Sequence, residues 1–212
     1  SKIREKINSP LFLPSDETVQ ILLSKSETAK KIGDFAPKTF DVDSENDLSK
    51  AISSEEVVWL RPKTGAGGKG SLVVSDSKFG WMWIKYWRER GFSSTWIAQE
   101  YLRGGNYNVT LIFNRNSKLC GMGMLERLGY IHEAISPTGI TGDVRLAKTV
   151  KLEKIVDVAK KAVNMIDSNP VGIFSVDLMG EKVSEINPRF AGRPRLYTSV
   201  SYTHLRAHET DI

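Results

Sequence analysis

Cysteine, histidine and long apolar runs are all scarce in this 212-residue chain. The one cysteine, Cys120, cannot form an intrachain disulfide, a thiolate zinc cluster or an iron–sulfur site, and we expect it to be a small buried hydrophobic residue. Two of the three histidines, His204 and His208, lie near the C-terminal end, so a histidine-based metal site is not expected. No apolar run approaches the ~18–20 residues that span a bilayer. We therefore expect a cytoplasmic protein with no membrane partner.

The rest of the composition is that of an ordinary globular domain. Apolar residues make up 40% of the chain and charged residues 26%, which is enough to build a core without indicating disorder. The formal net charge of +5 is mild, and it suits an anionic small ligand as well as nucleic acid. Residues 79–88 interleave aromatic and basic residues, but their helical spacing favours a packed face over a nucleic-acid platform. We therefore expect no nucleic-acid partner.

The pattern along the chain predicts short strands joined by hairpins, with single helices between them. Ser24 and Glu27 indicate a helix over residues 24–32 that ends at Gly33. Apolar residues at helical spacing predict another helix over residues 150–166. This alternation favours an α+β fold over a doubly wound parallel sheet. The first fifteen residues are interpreted as a lead-in or the remnant of a preceding domain, and residues 199–212 as a non-native or disordered tail.

A glycine-rich loop between two predicted strands is the first candidate for chemistry. Its glycines, Gly65, Gly67, Gly68 and Gly70, would let backbone N–H groups approach a phosphate closely. A strand follows the loop, which excludes a Rossmann site, and glycine follows Lys69, which excludes a Walker A loop. The alternative is a flexible hairpin tip without a ligand.

The second candidate is the segment from Glu185 to Arg189. Glu185, Asn187 and Arg189 alternate along a predicted strand, so their side chains share one face. Carboxylate and amide oxygens are suitable ligands for Mg²⁺, and an arginine beside them can neutralise a reacting phosphoryl group. A three-residue link would pair Asp177 of the preceding strand with Glu185, whereas a two-residue link would place the acids on opposite faces. The sequence leaves both links open.

These segments together resemble the ATP-grasp family of carboxylate–amine ligases, and among them the ATP-grasp module of the carbamoyl phosphate synthetase large subunit. The resemblance runs in order from about residue 24 to residue 192. It implies two α+β lobes whose antiparallel sheets clamp ATP, with an N-terminal lobe over residues 16–97 and a C-terminal lobe over residues 98–198. It also implies an ATP- and Mg²⁺-dependent ligase (Mn²⁺ could replace Mg²⁺) acting on small-molecule carboxylate and amine substrates. The alternative is a non-catalytic ATP-binding or interaction module, and an oligomer is possible.

The resemblance also implies a role for particular residues. Arg189 would stabilise the reacting phosphoryl group, and the metal ligands would be Glu185, Asn187 and Asp177. The implied nucleotide contacts are Lys25, Arg61, Gly67, Gly68, Gly70, Glu100, Leu102 and Asn106.

Three departures from the family pattern qualify these roles. Asn106 stands where the family usually has an acidic residue on the ribose, and Asp177 lies closer to Glu185 than is usual. The histidine that the synthetases carry in the segment around Gly139 is absent, so their bicarbonate chemistry is not carried over.

Glu126 and Arg127 are interpreted mainly as a solvated ion pair, with a substrate-side role for Arg127 as the alternative.

Overall fold

The computed structural model of this chain describes residues 12–65, 67–131, 133–140 and 144–191. In these ranges the helices are α1 (Asp16–Leu23), α2 (Lys25–Ile32), α3 (Glu45–Glu55), α4 (Ser77–Glu89) and α5 (Glu153–Ile166). The strands are β1 (Thr39–Val42), β2 (Val58–Pro62), β3 (Leu72–Val74), β4 (Trp96–Glu100), β5 (Asn106–Phe113), β6 (Leu119–Tyr130), β7 (Val144–Thr149), β8 (Gly172–Met179) and β9 (Lys182–Asn187).

The first sheet has four strands in the order β1-β4-β2-β3, and every pair is antiparallel. Helices α3 and α4 pack on it around a core that includes Leu48, Ile84 and Trp96. Gly80 allows the two helices to approach closely, because a Cβ at this position would lie 2.6 Å from Leu48 Cδ2. Trp81, Trp83 and Trp87 of α4 pack against this core, which agrees with the predicted packed face.

The second sheet has five antiparallel strands in the order β7-β6-β5-β8-β9. One of its faces is apolar and is covered by α5, with α1 and α2 beside it. Seven residues of α5 are buried, as the apolar spacing over residues 150–166 predicts. Alternation along β5 and β8 therefore places their polar residues on the opposite face.

The α+β fold with two antiparallel sheets is confirmed, and so is α2. Ser24 caps α2 by accepting a hydrogen bond from the Glu27 N–H, and Gly33 ends the helix with a φ of 54°. Glu27 does not complete a capping box, because its carboxylate accepts from Lys30 instead. Cys120 is exposed, so the prediction that it is buried is wrong. It lies at the start of β6, where the strand is only partly covered.

The predicted lobes at residues 16–97 and 98–198 remain a prediction. Their boundary falls inside β4, all of which pairs with β1 and β2. Leu22 of α1 and Ile32 of α2 are buried with the second sheet. Residues 1–11 of the predicted lead-in and the whole predicted tail, residues 199–212, lie outside the described residues. None of the helices in the described ranges has the length and apolar character needed to cross a membrane.

Candidate functional site

The polar face of the second sheet carries two rows of aligned side chains. In one row Asn108 of β5 lies opposite Asp177 of β8, which lies opposite Glu185 of β9. The next row aligns Thr110, Ser175 and Asn187 in the same way. Opposite residues of antiparallel strands have Cβ atoms roughly 4.5–5.5 Å apart. The predicted metal ligands Asp177, Glu185 and Asn187 therefore lie together, and all three line one cavity between the two sheets.

A β-bulge in the β8–β9 hairpin produces this alignment. The strands end at Met179 and begin again at Lys182, so the link has two residues, the case predicted to separate the acids. The register shifts between Leu178 and Asp177, where Ser184 is the extra residue of β9. Its hydroxyl donates to the Asp177 carbonyl oxygen at 3.1 Å. The bulge restores the phase that the short link would lose, so the prediction that a two-residue link separates Asp177 and Glu185 is wrong.

Glu185 is held by two cations from other elements. Arg61 of β2, in the first sheet, donates from Nη2 to Glu185 Oε2 at 3.2 Å. Lys25 Nζ, at the start of α2, lies 3.8 Å from Glu185 Oε1. Arg61 is also fixed by Gln99, whose Oε1 accepts from Nη1 at 3.3 Å. The Arg61–Glu185 ion pair thus joins the two sheets across the cavity.

Lys25 is buried although it begins a short helix. Its ammonium donates to the Gly65 carbonyl oxygen at 2.8 Å, so it lies under the glycine loop. Burial lowers the pKa of Lys25 to about 8, Glu185 opposes this shift, and Arg61 adds to it. Lys25 and Arg61 share one carboxylate, that of Glu185, so the positive charge around it is only partly neutralised. Burying such a cation is costly for the fold alone, and the arrangement is typical of an anion-binding site.

The glycine loop contributes two of its three predicted contacts to this cavity. Gly67 and Gly68 line it with φ values of 72° and 69°, a region of backbone space that favours glycine. Gly70 does not line it, and its carbonyl oxygen accepts from Trp83 Nε1 at 2.7 Å. Its φ of 79° and the 3.1 Å between a Cβ at this position and Trp96 both favour glycine here, and its predicted nucleotide contact remains a prediction.

Arg127 is the cation at the other end of the cavity, and its interpretation as a solvated partner of Glu126 is wrong. Its Nη2 donates to Asp177 Oδ1 at 2.6 Å, and its Nη1 donates to Asn106 Oδ1 at 3.5 Å. Glu126 instead pairs with Lys148 at 2.8 Å. Neighbouring residues of a strand point to opposite faces, which explains why Glu126 and Arg127 do not meet.

Trp59 lines the cavity and carries no predicted role. It precedes Arg61 by two residues on β2, so both side chains point the same way, and the Arg61 guanidinium lies 4.1 Å from the indole centroid. The indole is buried, and its Nε1 has no hydrogen-bond partner among the described residues. Side chains two residues apart on a strand share one face, so the position of Trp59 two residues before Arg61 is the sequence signal that would have identified it.

The remaining predicted residues occupy different positions. Arg189 follows β9, is exposed, and lines the cavity together with Asn106. Glu100 and Leu102 lie at and just beyond the end of β4 and do not line it. The Glu100 carboxylate accepts from the Lys38 backbone N–H at 3.2 Å, and Leu102 is buried. Residues 141–143 of the motif after Gly139 lie outside the described residues.

The donor set fits Mg²⁺ or Mn²⁺ that shares its coordination with phosphate. In the part of the chain that is described, no cluster of three or more histidine, cysteine, aspartate or glutamate side chains could hold a metal by itself. Two carboxylates and one amide oxygen nevertheless suit Mg²⁺, which usually takes one or two protein carboxylates and completes its octahedron with phosphate and water. Arg127 and Asn108 both donate to Asp177 Oδ1, and no described residue donates to Oδ2. That oxygen is therefore available to a cation.

Comparison with known proteins identifies the family. A family model described as the ATP-grasp domain matches residues 23–193. The chain belongs to the ATP-grasp family. No sequence among the curated proteins matches it.

Solved structures show the same ATP-grasp fold at low sequence identity. Biotin carboxylase from Campylobacter jejuni, a β,γ-ATP complex, matches with a TM-score of 0.72 and 17% identity over 94% of this chain and 47% of its own. N5-carboxyaminoimidazole synthetase from Staphylococcus aureus, complexed with ADP, has a TM-score of 0.64 and 19% identity over 94% and 51%. D-alanine–D-alanine ligase from Bacillus anthracis has a TM-score of 0.64 and 13% identity over 100% and 76%. This chain thus spans about half the length of the first two proteins.

Proposed function

We propose that this ATP-grasp domain binds ATP with Mg²⁺ between its two sheets and activates a carboxylate for ligation to an amine-type nucleophile. The observation that supports this most strongly is the Arg61–Glu185 ion pair across the cavity, with Lys25 on one side and Asp177 on the other. It brings cations suited to phosphate against oxygen ligands suited to a metal. Biotin carboxylase and N5-carboxyaminoimidazole synthetase, as complexes with ATP and ADP, are consistent with this proposal, although those nucleotides belong to those proteins.

The roles of the chain's residues follow from their positions. When ATP binds, Lys25 and Arg61 would leave their ion pairs with Glu185 and contact the nucleotide phosphates instead. The backbone N–H groups of Gly67 and Gly68 would approach the same phosphates. Asp177, Glu185 and Asn187 would hold Mg²⁺, which supplies charge neutralisation when bound. Arg189, which follows Asn187 and also lines the cavity, would stabilise the reacting phosphoryl group. The adenine contacts of Glu100 and Leu102, and the ribose contact of Asn106, remain predictions.

The proposed reaction has two steps, phosphorylation of the carboxylate and attack by the nitrogen nucleophile. A carboxylate oxygen attacks the γ-phosphorus in line, the bond from the γ-phosphorus to the bridging oxygen breaks, and ADP leaves with those electrons. A nitrogen nucleophile then attacks the acyl carbon and phosphate departs with the electrons of the carbon–oxygen bond, while the nitrogen loses a proton. The domain contributes positioning and charge stabilisation, and no covalent nucleophile is needed.

The particular kind of ligase and its substrates are proposed from the sequence resemblance. A carbamoyl phosphate synthetase-like assignment rests on the order of the motifs, and a cytoplasmic location and a small-molecule carboxylate–amine pair remain predictions with it. Because the synthetase histidine is absent, the bicarbonate chemistry of the synthetases is not carried over to this chain.

Glu185→Gln tests the proposed function. Glutamine keeps the shape but removes the charge, so we expect the variant to fold and bind ATP, to need much more Mg²⁺, and to lose turnover. Glu126→Gln is the matched control, since Glu126 is on the same sheet but does not line the cavity. ATP binding by calorimetry across a MgCl₂ series and phosphate release with carboxylate–amine pairs are the measurements. An unchanged Mg²⁺ dependence in Glu185→Gln would refute the metal site, and ATP binding without phosphate release for any pair would favour the non-catalytic module.

A further inference from the structure

Asn108 is buried behind the proposed metal ligands and does not itself line the cavity. It is 1% exposed and lies in the middle of β5, in the row that continues to Asp177 and Glu185. Its amide nitrogen donates to Asp177 Oδ1 at 2.5 Å and to Ser175 Oγ at 2.7 Å. Thr110 donates to its amide oxygen at 3.4 Å.

The chemistry of these partners determines the orientation of the Asn108 amide. An ionised carboxylate only accepts hydrogen bonds, so the Asn108 atom against Asp177 has to be the NH₂ group. The Thr110 hydroxyl, as a donor, suits the amide oxygen on the other side. Asn108 is thus held from β5 and β8 together, and it cannot rotate without leaving a buried polar atom unpaired.

This orientation has a consequence for Asp177. Asn108 and Arg127 both donate to Oδ1, so that oxygen is held in place by two donors. No described residue donates to Oδ2, and Asp177 lines the cavity next to Glu185. Fixing one oxygen of a carboxylate aims the other, which is how partners behind a metal ligand set its geometry.

We propose that Asn108 is a positioning residue that aims Asp177 Oδ2 at the divalent cation of the ATP complex. This inference rests on the proposed function. It adds a residue that is neither a metal ligand nor a nucleotide contact, and it assigns the buried polar row a purpose other than stability.

The test compares Asn108→Leu with Thr110→Val. Both changes remove a buried polar group from the same face of β5, but Thr110 contacts the Asn108 oxygen and not Asp177. ATP binding is measured by calorimetry at increasing MgCl₂, with thermal unfolding as the check on folding. We expect Asn108→Leu to raise the half-saturating Mg²⁺ concentration by about 10–100-fold, the usual cost of losing a partner behind a metal ligand. ATP affinity without metal should change little. Thr110→Val should keep the parent's Mg²⁺ dependence, because the Asn108 NH₂ group still donates to Asp177 and Ser175 in that variant.

Asn108→Ser covers the case in which Asn108→Leu does not fold. Serine remains polar but is too short to reach Asp177, so the same rise in Mg²⁺ requirement is expected. Equal Mg²⁺ dependence in parent and Asn108 variants would overturn the inference and leave the proposed function standing. An equal rise in Thr110→Val would also overturn it, because the effect would then follow from any loss of a buried polar group on this face of β5. A parent whose ATP binding ignores Mg²⁺ would overturn the proposed function, and the inference with it.

Discussion

Lys25→Met should stabilise the ligand-free protein, because Lys25 is buried at a cost to the fold. Burial lowers the pKa of this lysine from 10.5 to about 8, which corresponds to roughly 3 kcal/mol. Methionine removes this cost but loses the hydrogen bond to the Gly65 carbonyl oxygen, worth about 1 kcal/mol. We therefore expect Lys25→Met to raise the free energy of unfolding by about 1–2 kcal/mol at pH 7, with weaker ATP binding.

The pH dependence of this difference separates burial from other effects. Below pH 8 Lys25 is charged in both the folded and unfolded states, so the parent carries the whole cost. Between pH 8 and 10.5 the folded state has released the proton while the unfolded chain still binds it, so the parent gains stability as the pH rises. The advantage of Lys25→Met should therefore shrink across this window.

Urea unfolding of both proteins without ATP, at pH 7 and at pH 10, measures this difference. Lys30→Met is the matched control: Lys30 is also on α2 but is exposed, and its removal should change stability by less than about 0.5 kcal/mol. A Lys25→Met variant that is less stable than the parent at pH 7 would refute the reasoning, because Lys25 would then contribute to stability through its ion pair.

Three further predictions concern single positions. Arg61→Ala should weaken ATP binding in calorimetry far more than it lowers the thermal unfolding temperature, and equal ATP affinity in variant and parent would remove Arg61 from the site. The fluorescence of Trp59, assigned by difference from Trp59→Phe, should change when ATP is added, because the indole lines the cavity; an unchanged difference would place ATP elsewhere. Gly80→Ala should cost up to about 2 kcal/mol in urea unfolding, since the strain of displacing Leu48 exceeds the ~1 kcal/mol that alanine gains in a helix, and a stabilised variant would mean that α3 and α4 can separate easily.

The elements with strong local signals were predictable from the sequence. Ser24 and Gly33 mark the ends of α2, and the apolar period marks α5, because capping and amphipathic burial depend on nearby residues. Strands β1 and β7 were not predicted. The residues of β7 are all partly or fully exposed, so its sequence has no apolar alternation to recognise.

The site was predictable as a set of residue types but not as a geometry. Glu185 and Asn187 follow from strand alternation, and they do line the cavity with Asp177. The bulge at Ser184 was not predictable, because a register shift depends on which residues the partner strand and the core require. The burial of Lys25 was not predictable either, because it depends on the glycine loop, which lies 40 residues further along the chain.

Hydrogen exchange with and without Mg–ATP tests the central claim most directly, because it reports both binding and its location. ATP between the two sheets should slow amide exchange in the glycine loop over residues 64–71 and in the hairpin of β8 and β9. Exchange in α5, which covers the opposite face of the second sheet, should change little. Exchange that is unaltered in both the loop and the hairpin at saturating Mg–ATP would contradict a nucleotide site between the sheets.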